Sequence, residues 1–235
     1  MAKQLDLQEQ EQIDALKAFW NRYGNLITWT ATLILGAFAA YNGWHAYQRS
    51  LSLQASSMYA ELEDAARSGD AERASRIFGD MKARRPWFVP GALYTPPAYT
   101  QQAGLLAAKV QSEKGKAADA IASLQWVAAN GNPENAAVAH LRWAGLLADQ
   151  KKYDEAQAQL AAVQPESFKA LVADRRGDIL LAQGKREEAK TAYRAAWDAL
   201  PGTAQYRILV EAKLGALGAA PPASAAADAA SEAAR

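Results

Sequence analysis

Segments of similar composition recur along this chain of 235 residues at intervals of roughly 34 residues. The stretch Gly145–Leu160 reads GLLADQKKYDEAQAQL and Asp178–Tyr193 reads DILLAQGKREEAKTAY; each leads from Leu-Leu-Ala through a lysine to Glu-Ala. A fixed period of this length indicates repeated supersecondary units, and abundant Ala with few Pro is typical of a helical protein. Alignment of the copies places four alanines in register, with two intervals close to the period and a longer one before them: Ala74, Ala120, Ala156 and Ala189.

The last copy resembles the tetratricopeptide repeat, a helix–turn–helix unit of about 34 residues. Its small, turn, aromatic and proline positions are filled by Gly177, Gly184, Ala189, Tyr193, Ala196 and Pro201. Small side chains allow two antiparallel helices to approach, so Gly177 and Ala189 are expected to meet at the helix crossing. Gly184 is expected to end the first helix, because glycine tolerates positive φ. The other copies are degenerate, and in the third Lys151 takes the place of the turn glycine.

This register predicts where the helical pairs lie and which residues pack between them. Hairpins are expected near residues 49–84, 98–130, 134–164 and 167–200, followed by a capping helix over 203–217. The capping helix would cover the open apolar face of the last hairpin. The predicted packing residues are Ala74, Ala120, Ala156, Gly177 and Ala189.

Ahead of the repeats, the segment from Tyr23 to Gln48 contains no Asp, Glu, Lys or Arg. As a helix, Leu26–Tyr47 would extend roughly 33 Å, about the thickness of the hydrocarbon core of a bilayer. Aromatic residues stand near both ends, where their rings favour the headgroup boundary. A buried core helix is one alternative. A signal peptide cleaved after Ala39 is another, although the leader before it is long and acidic. We predict an uncleaved transmembrane helix at 23–48.

The chain is therefore expected to be all-α, with a single N-terminal transmembrane helix followed by a degenerate tetratricopeptide-repeat-like solenoid of helical hairpins, the domain spanning 49–217. Residues 1–22 are predicted to form a cytoplasmic tail, a placement that the distribution of Lys and Arg favours only slightly. The segment 218–235, GAAPPASAAADAASEAAR, lacks the large apolar side chains that offset ordering and is predicted to be a disordered tail.

A proline-rich stretch at 85–97, RPWFVPGALYTPP, interrupts the array and accounts for the longer interval between Ala74 and Ala120. Lys82, Arg84 and Arg85 form a small basic group just before it. A solvated surface explains this group, and a contact with lipid headgroups or a partner is the alternative.

Composition and motifs argue against a catalytic, metal-binding or cofactor-binding site. The net charge of +1 gives no reason to expect nucleic acid, and the absence of Cys excludes thiolate ligands and cysteine nucleophiles. The two histidines, His45 and His140, do not suggest a metal site, and the motifs GxSxG, HExxH and GxxxxGK[ST] do not occur. We expect no enzyme activity, no cofactor, no metal and no small-molecule substrate.

A binding surface is the remaining possibility, because stacked hairpins form a concave groove lined by the first helix of each unit. Its mixed polar and apolar composition fits an extended polypeptide segment, and a solvated face accounts for the same residues equally well. The register assigns seven residues to this candidate partner groove: Gln102, Leu105, Lys109, Leu141, Asp149, Asp174 and Asp178.

The whole arrangement resembles a known bacterial family. The run DALKAFWNRYGN at Asp14–Asn25, the apolar anchor, the array from Tyr59 to Pro201 and the capping helix are similar to the YfgM-type ancillary SecYEG translocon subunit family. The resemblance implies a single-pass inner-membrane protein with a cytoplasmic N-terminus and a periplasmic repeat domain. It also implies three partners: the SecYEG translocon, a PpiD-type periplasmic chaperone and exported polypeptides.

Two other functions fit the same pattern of anchor and repeats. The chain could be a membrane-tethered scaffold for another envelope complex, such as one for cytochrome c maturation or outer-membrane biogenesis. Cleavage after Ala39 would instead release a soluble periplasmic peptide-binding protein.

Overall fold

The computed structural model describes residues 7–84 and 94–219. These residues form α-helices and one 3₁₀ turn, which confirms the all-α prediction. The helices are α1 (Leu7–Ser68), α2 (Ala71–Ala83), α3 (Ala98–Glu113), α4 (Ala117–Asn130), α5 (Pro133–Asp149), α6 (Tyr153–Ala161), α7 (Lys169–Ala182), α8 (Arg186–Ala199) and α9 (Tyr206–Ala216), with the 3₁₀ turn at Glu166–Phe168. Residues 85–93 of the predicted loop and 220–235 of the predicted tail lie outside the described residues.

The N-terminal unit of the chain, residues 1–53, contains most of α1. Its large apolar side chains are exposed, among them Trp29 and Leu33 at 68% and 72%. The hydroxyls of Thr30 and Thr32 each donate to a carbonyl one turn earlier at 2.8 Å, so these polar groups are satisfied within the helix. By length and composition, the part of α1 from Glu11 to Ser68 is long and apolar enough to cross a membrane.

Helix α1 runs without a break through residues 22 and 48, where the sequence suggested limits between tail, anchor and repeat domain. An unbroken helix is consistent with the sequence, because neither position carries a proline or a helix-ending glycine. The last part of α1 belongs to the second unit, which begins at Gln54.

The second unit stacks helices in consecutive pairs. The end of α1 shares a core with α2, and the following pairs are α3 with α4, α5 with α6 and α7 with α8. Helix α9 packs against α8 at the predicted place of the capping helix. The alanine that the register places in each second helix is fully buried, at 0% exposure. These alanines are Ala74, Ala120, Ala156 and Ala189. The helices of a pair therefore approach where the side chain has no bulk.

The turns after α1, α3, α5, α7 and α9 share one backbone geometry. A residue with positive φ donates its N–H three positions back, and the next residue donates five positions back, which is the Schellman pattern. The positive-φ residues are Gly69, Gly115, Lys151, Gly184 and Gly218. Lys151 adopts φ +60° although it is not a glycine. Gly218 follows Gly184 at one repeat length, about 34 residues, which identifies α9 as the first helix of a further repeat.

Gly177 lies where α7 meets α8. A Cβ added to this glycine would come within 2.5 Å of the ring of Tyr193, so only glycine permits the observed approach. The ring of Tyr193 supplies the nearest atoms to this position, and Ala189, its expected partner, lies buried in the same core as Tyr193. Gly104 in α3 has a similar role, since a Cβ there would lie 2.4 Å from Val127.

Candidate partner groove

A concave cavity of about 410 Å³ opens between the first helices of three successive repeats, α3, α5 and α7. Its walls combine charged side chains with leucines, so they offer both ionic and apolar contacts. The lining residues are Ala108, Lys109, Ser112, Glu113, Leu124, Leu141, Arg142, Gly145, Leu146, Asp149 and Arg175.

The structure brings three of the seven sequence-predicted groove residues together in this cavity. Lys109, Leu141 and Asp149 line it, each from the helix that the repeat register assigned. Gln102 is exposed on α3 but does not line the cavity. Leu105 lies at 9% exposure in the core between α3, α4 and α5, so its side chain is not available to a partner.

The last two predicted groove residues, Asp174 and Asp178, face α9 and bind it. Asp174 is 2% exposed; it accepts a hydrogen bond from the hydroxyl of Tyr206 at 2.7 Å and pairs with Nζ of Lys213 at 2.8 Å. Asp178 accepts from the hydroxyl of Tyr193 at 2.8 Å and lies 2.7 Å from the same Lys213. We therefore leave both carboxylates out of the proposed groove.

This network also affects the titration of its tyrosines. Burial raises the pKa of the Tyr193 hydroxyl above the ordinary value of 10.0, and its hydrogen bond to Asp178 adds to the effect. The pKa of Tyr206 rises for the same reasons, burial first and then the hydrogen bond to Asp174. Both hydroxyls thus remain protonated donors to carboxylates over the whole neutral range.

Arg142 is a cavity residue that the repeat pattern did not select. Its Nη1 donates to the backbone carbonyl of Leu105 at 2.9 Å, across the gap from α5 to α3. Within the ranges 7–84 and 94–219, the ion pairs of the structure do not include Arg142. Desolvation of the guanidinium lowers the pKa of Arg142 below its ordinary value.

The two other cations of the cavity have carboxylate partners. Nζ of Lys109 lies 3.8 Å from Glu113, and a guanidinium nitrogen of Arg175 lies 3.5 Å from Asp178. Each pair sits on one helix at the spacing that brings side chains together.

Gly145 is another lining residue that the sequence analysis did not select. A Cβ added there would meet no heavy atom within 4 Å, in contrast to Gly104 and Gly177. A glycine inside a helix is unfavourable compared with alanine. In the sequence, a glycine within a predicted helix that occupies neither a turn nor a helix crossing is the signal that could have identified Gly145.

Comparison with known proteins identifies the family to which a chain of this architecture is similar. A family described as tetratricopeptide repeat-like domain matches residues 17–219, which include the apolar helix and all the described repeats. The chain belongs to this family. The prediction of a degenerate tetratricopeptide-like array is thereby confirmed.

Three relatives of this tetratricopeptide repeat-like chain carry the name "Ancillary SecYEG translocon subunit". The protein of Neisseria gonorrhoeae is 28% identical over 216 residues, which are 90% of this chain and 98% of the relative. The Escherichia coli protein is 28% identical over 190 residues, 80% of this chain and 86% of its own length. The Haemophilus influenzae protein is 26% identical over 191 residues, 81% and 89% of the two chains. These matches confirm the resemblance to the YfgM-type family.

The family is described as a repeat-like domain, and the relatives are described as subunits of a translocon. In the described ranges, no group of three or more His, Asp and Glu side chains is placed to hold a metal ion. The cavity between α3, α5 and α7 lies on the concave face that repeat arrays use for binding, and it is the candidate site for a protein partner.

Proposed function

We propose that the chain is a non-catalytic, membrane-anchored ancillary subunit of the SecYEG translocon. The observation that supports this best is the extent of the match to the Neisseria gonorrhoeae relative, 90% of this chain and 98% of that protein. Alignment over so much of both chains includes the apolar helix as well as the repeats. A likeness restricted to the repeats would support only a protein-binding domain.

We further propose an inner-membrane location with the N-terminus in the cytoplasm and the repeat domain in the periplasm. Residues 23–48 would form the span, residues 1–22 the cytoplasmic tail and 49–217 the periplasmic domain. In that compartment the repeats would meet a PpiD-type chaperone and exported polypeptides. The cavity between α3, α5 and α7 is the surface proposed to receive them, because it lies between the first helices of successive repeats, where repeat arrays present their concave binding surface.

The translocon association is tested with the full-length chain in native membranes. Affinity purification after in-membrane crosslinking from Trp44→benzoylphenylalanine is expected to recover the SecY subunit. The matched control carries the same photoreactive group at Gln125, an exposed position in α4 far along the chain from the anchor. Recovery of a cytochrome c maturation or outer-membrane assembly complex, without SecY, would refute the proposal in favour of an envelope scaffold.

The topology can be tested cleanly because the chain contains no cysteine. We expect a membrane-impermeant thiol reagent to label Gln125→Cys from the periplasmic side and to label Lys17→Cys only after the membrane is opened. The reverse pattern would contradict the orientation. A mature mass lacking residues 1–39 would show a cleaved, soluble protein instead.

A further inference from the structure

One glycine of the cavity is not explained by the packing of the helices around it. Gly145 leaves open space where alanine would be more favourable, and no neighbouring side chain uses that space. Gly145 also lies among the lining residues of the cavity. A glycine in such a position permits close approach of another backbone.

Arg142 stands one helical turn earlier on α5 and also lines the cavity. Its hydrogen bond goes to a neutral acceptor, the Leu105 carbonyl, while Lys109 and Arg175 are paired with carboxylates of their own helices. A guanidinium presents five N–H donors in a planar fork, so Arg142 keeps donors for a ligand. The planar fork fits a carboxylate with two parallel hydrogen bonds.

The acidic residues of the same cavity limit which ligand fits. Glu113 is occupied by Lys109. Asp149 lies seven residues after Arg142 on α5, which corresponds to about 10 Å along the helix axis. An extended chain covers that length in about three residues. For a ligand that runs along α5 with an acidic group at Arg142, Asp149 places a negative charge about three residues further along, where a basic side chain is favoured and a second acidic one is not.

We propose that the cavity binds an extended polypeptide segment, with its backbone over Gly145 and one acidic side chain held by Arg142. The inference rests on the proposed function in one respect, the assumption that the repeat domain meets polypeptide partners. The leucine walls at Leu141 and Leu146 and the volume of about 410 Å³ suit a peptide segment better than a free inorganic anion, which would leave the apolar walls uncovered.

The proposal is tested by peptide binding to the full-length chain in nanodiscs. The probes are two synthetic peptides that differ at one position: an extended neutral sequence with a single Glu, and the same sequence with Gln. We expect the Glu peptide to bind about tenfold more tightly, the factor typical of one charge-assisted hydrogen-bonded pair. In Arg142→Gln this preference should disappear.

Arg176→Gln is the matched control. It removes the same charge from an exposed arginine of α7 that does not line the cavity, and it should keep the preference for Glu. Gly145→Leu, which fills the open space, should weaken both peptides by about tenfold or more. Circular dichroism of each variant shows whether its helices remain folded.

Equal binding of the Glu and Gln peptides by the natural chain would overturn the proposal, and so would a preference that survives in Arg142→Gln. Absence of binding to either peptide would also overturn it. None of these results bears on the recovery of SecY by crosslinking, which depends on the anchor side of the molecule. Loss of SecY recovery with intact Glu selectivity would instead refute the translocon assignment alone.

Discussion

Nζ of Lys213 in α9 lies 2.8 Å from Oδ1 of Asp174 and 2.7 Å from Oδ1 of Asp178, both in α7. The repeat register placed these two aspartates on the concave face of α7. On that face the next first helix of the array is their neighbour, and α9 is that helix. The carboxylates therefore serve the attachment of α9 and not a bound partner.

Replacement of Asp174 by Ala is expected to lower the free energy of unfolding by about 2–4 kcal/mol. The change leaves the hydroxyl of Tyr206 without its acceptor and removes one of the two carboxylates that pair with Lys213, the one that is only 2% exposed. Urea denaturation followed by circular dichroism measures the effect. Asp198→Ala, at an exposed position of α8, is the control and should change stability little. Equal stability of the two variants would show that the network contributes nothing.

The same network predicts the response to alkaline pH. Because the folded-state pKa values of Tyr193 and Tyr206 lie above the unfolded value near 10.0, their contribution to stability is complete below pH 10.0 and falls as the pH rises beyond it. Denaturant midpoints should therefore decline above pH 10.0, and Tyr206→Phe should reduce the slope of that decline. An unchanged slope in Tyr206→Phe would count against a role for this hydroxyl.

Gly177→Ala is expected to destabilise the chain by about 1–2 kcal/mol, since overpacking outweighs the better helix propensity of alanine. The new Cβ would lie 2.5 Å from the Tyr193 ring, which cannot move freely because its hydroxyl is bonded to Asp178. Thermal unfolding measures the loss. A stabilised variant would mean that α7 and α8 separate more easily than their packing indicates.

Gly79→Ala and Gly145→Ala should both stabilise the chain, each by about 0.5–1 kcal/mol, because both glycines lie within helices with no heavy atom near the added Cβ. Only Gly145 lines the cavity, so the pair separates a stability effect from a binding effect. Denaturation midpoints give the first quantity and titration with the Glu peptide gives the second. We expect weaker binding only in Gly145→Ala; unchanged binding in that variant would show that the peptide backbone does not lie over Gly145.

Two substitutions in the turns are expected to change the free energy of unfolding in opposite directions. Lys151→Gly should stabilise by about 1 kcal/mol, because it relieves a positive φ of 60° in a side-chain-bearing residue. Gly184→Ala should cost a similar amount, since it introduces a Cβ at φ +77° in the corresponding turn. Equilibrium unfolding of both variants checks the pair. Changes of the same sign would contradict a shared turn geometry.

Repetition explains how much of the fold could be predicted. The alanine register located every second helix, and Gly184 identified its turn, because both depend on local backbone and close approach. The turn at Gly218 was missed, since a glycine at the start of an Ala- and Pro-rich segment looks like part of a tail.

The groove was harder to predict, because the repeat register shows which face of a helix a residue lies on but does not show which other helix packs against that face. The bonds from Lys213 and Tyr206 to Asp174 join residues 39 and 32 positions apart, and no local pattern reports them. Arg142 was missed for the same reason: its lack of a carboxylate partner among the described residues is a property of three packed helices. Lys109, Leu141 and Asp149 were found because their exposure follows from the register alone.

The turn at Gly218 bears on how such chains change length during evolution. Its hydrogen bonds are those that precede a second helix at every earlier repeat, so the backbone at Gly218 has the geometry of a junction between two paired helices. A duplicated or recombined hairpin could be spliced in behind Ala219 without rebuilding any backbone before it. An insertion of about 34 residues at such a junction would lengthen the array by one unit, with the anchor left untouched.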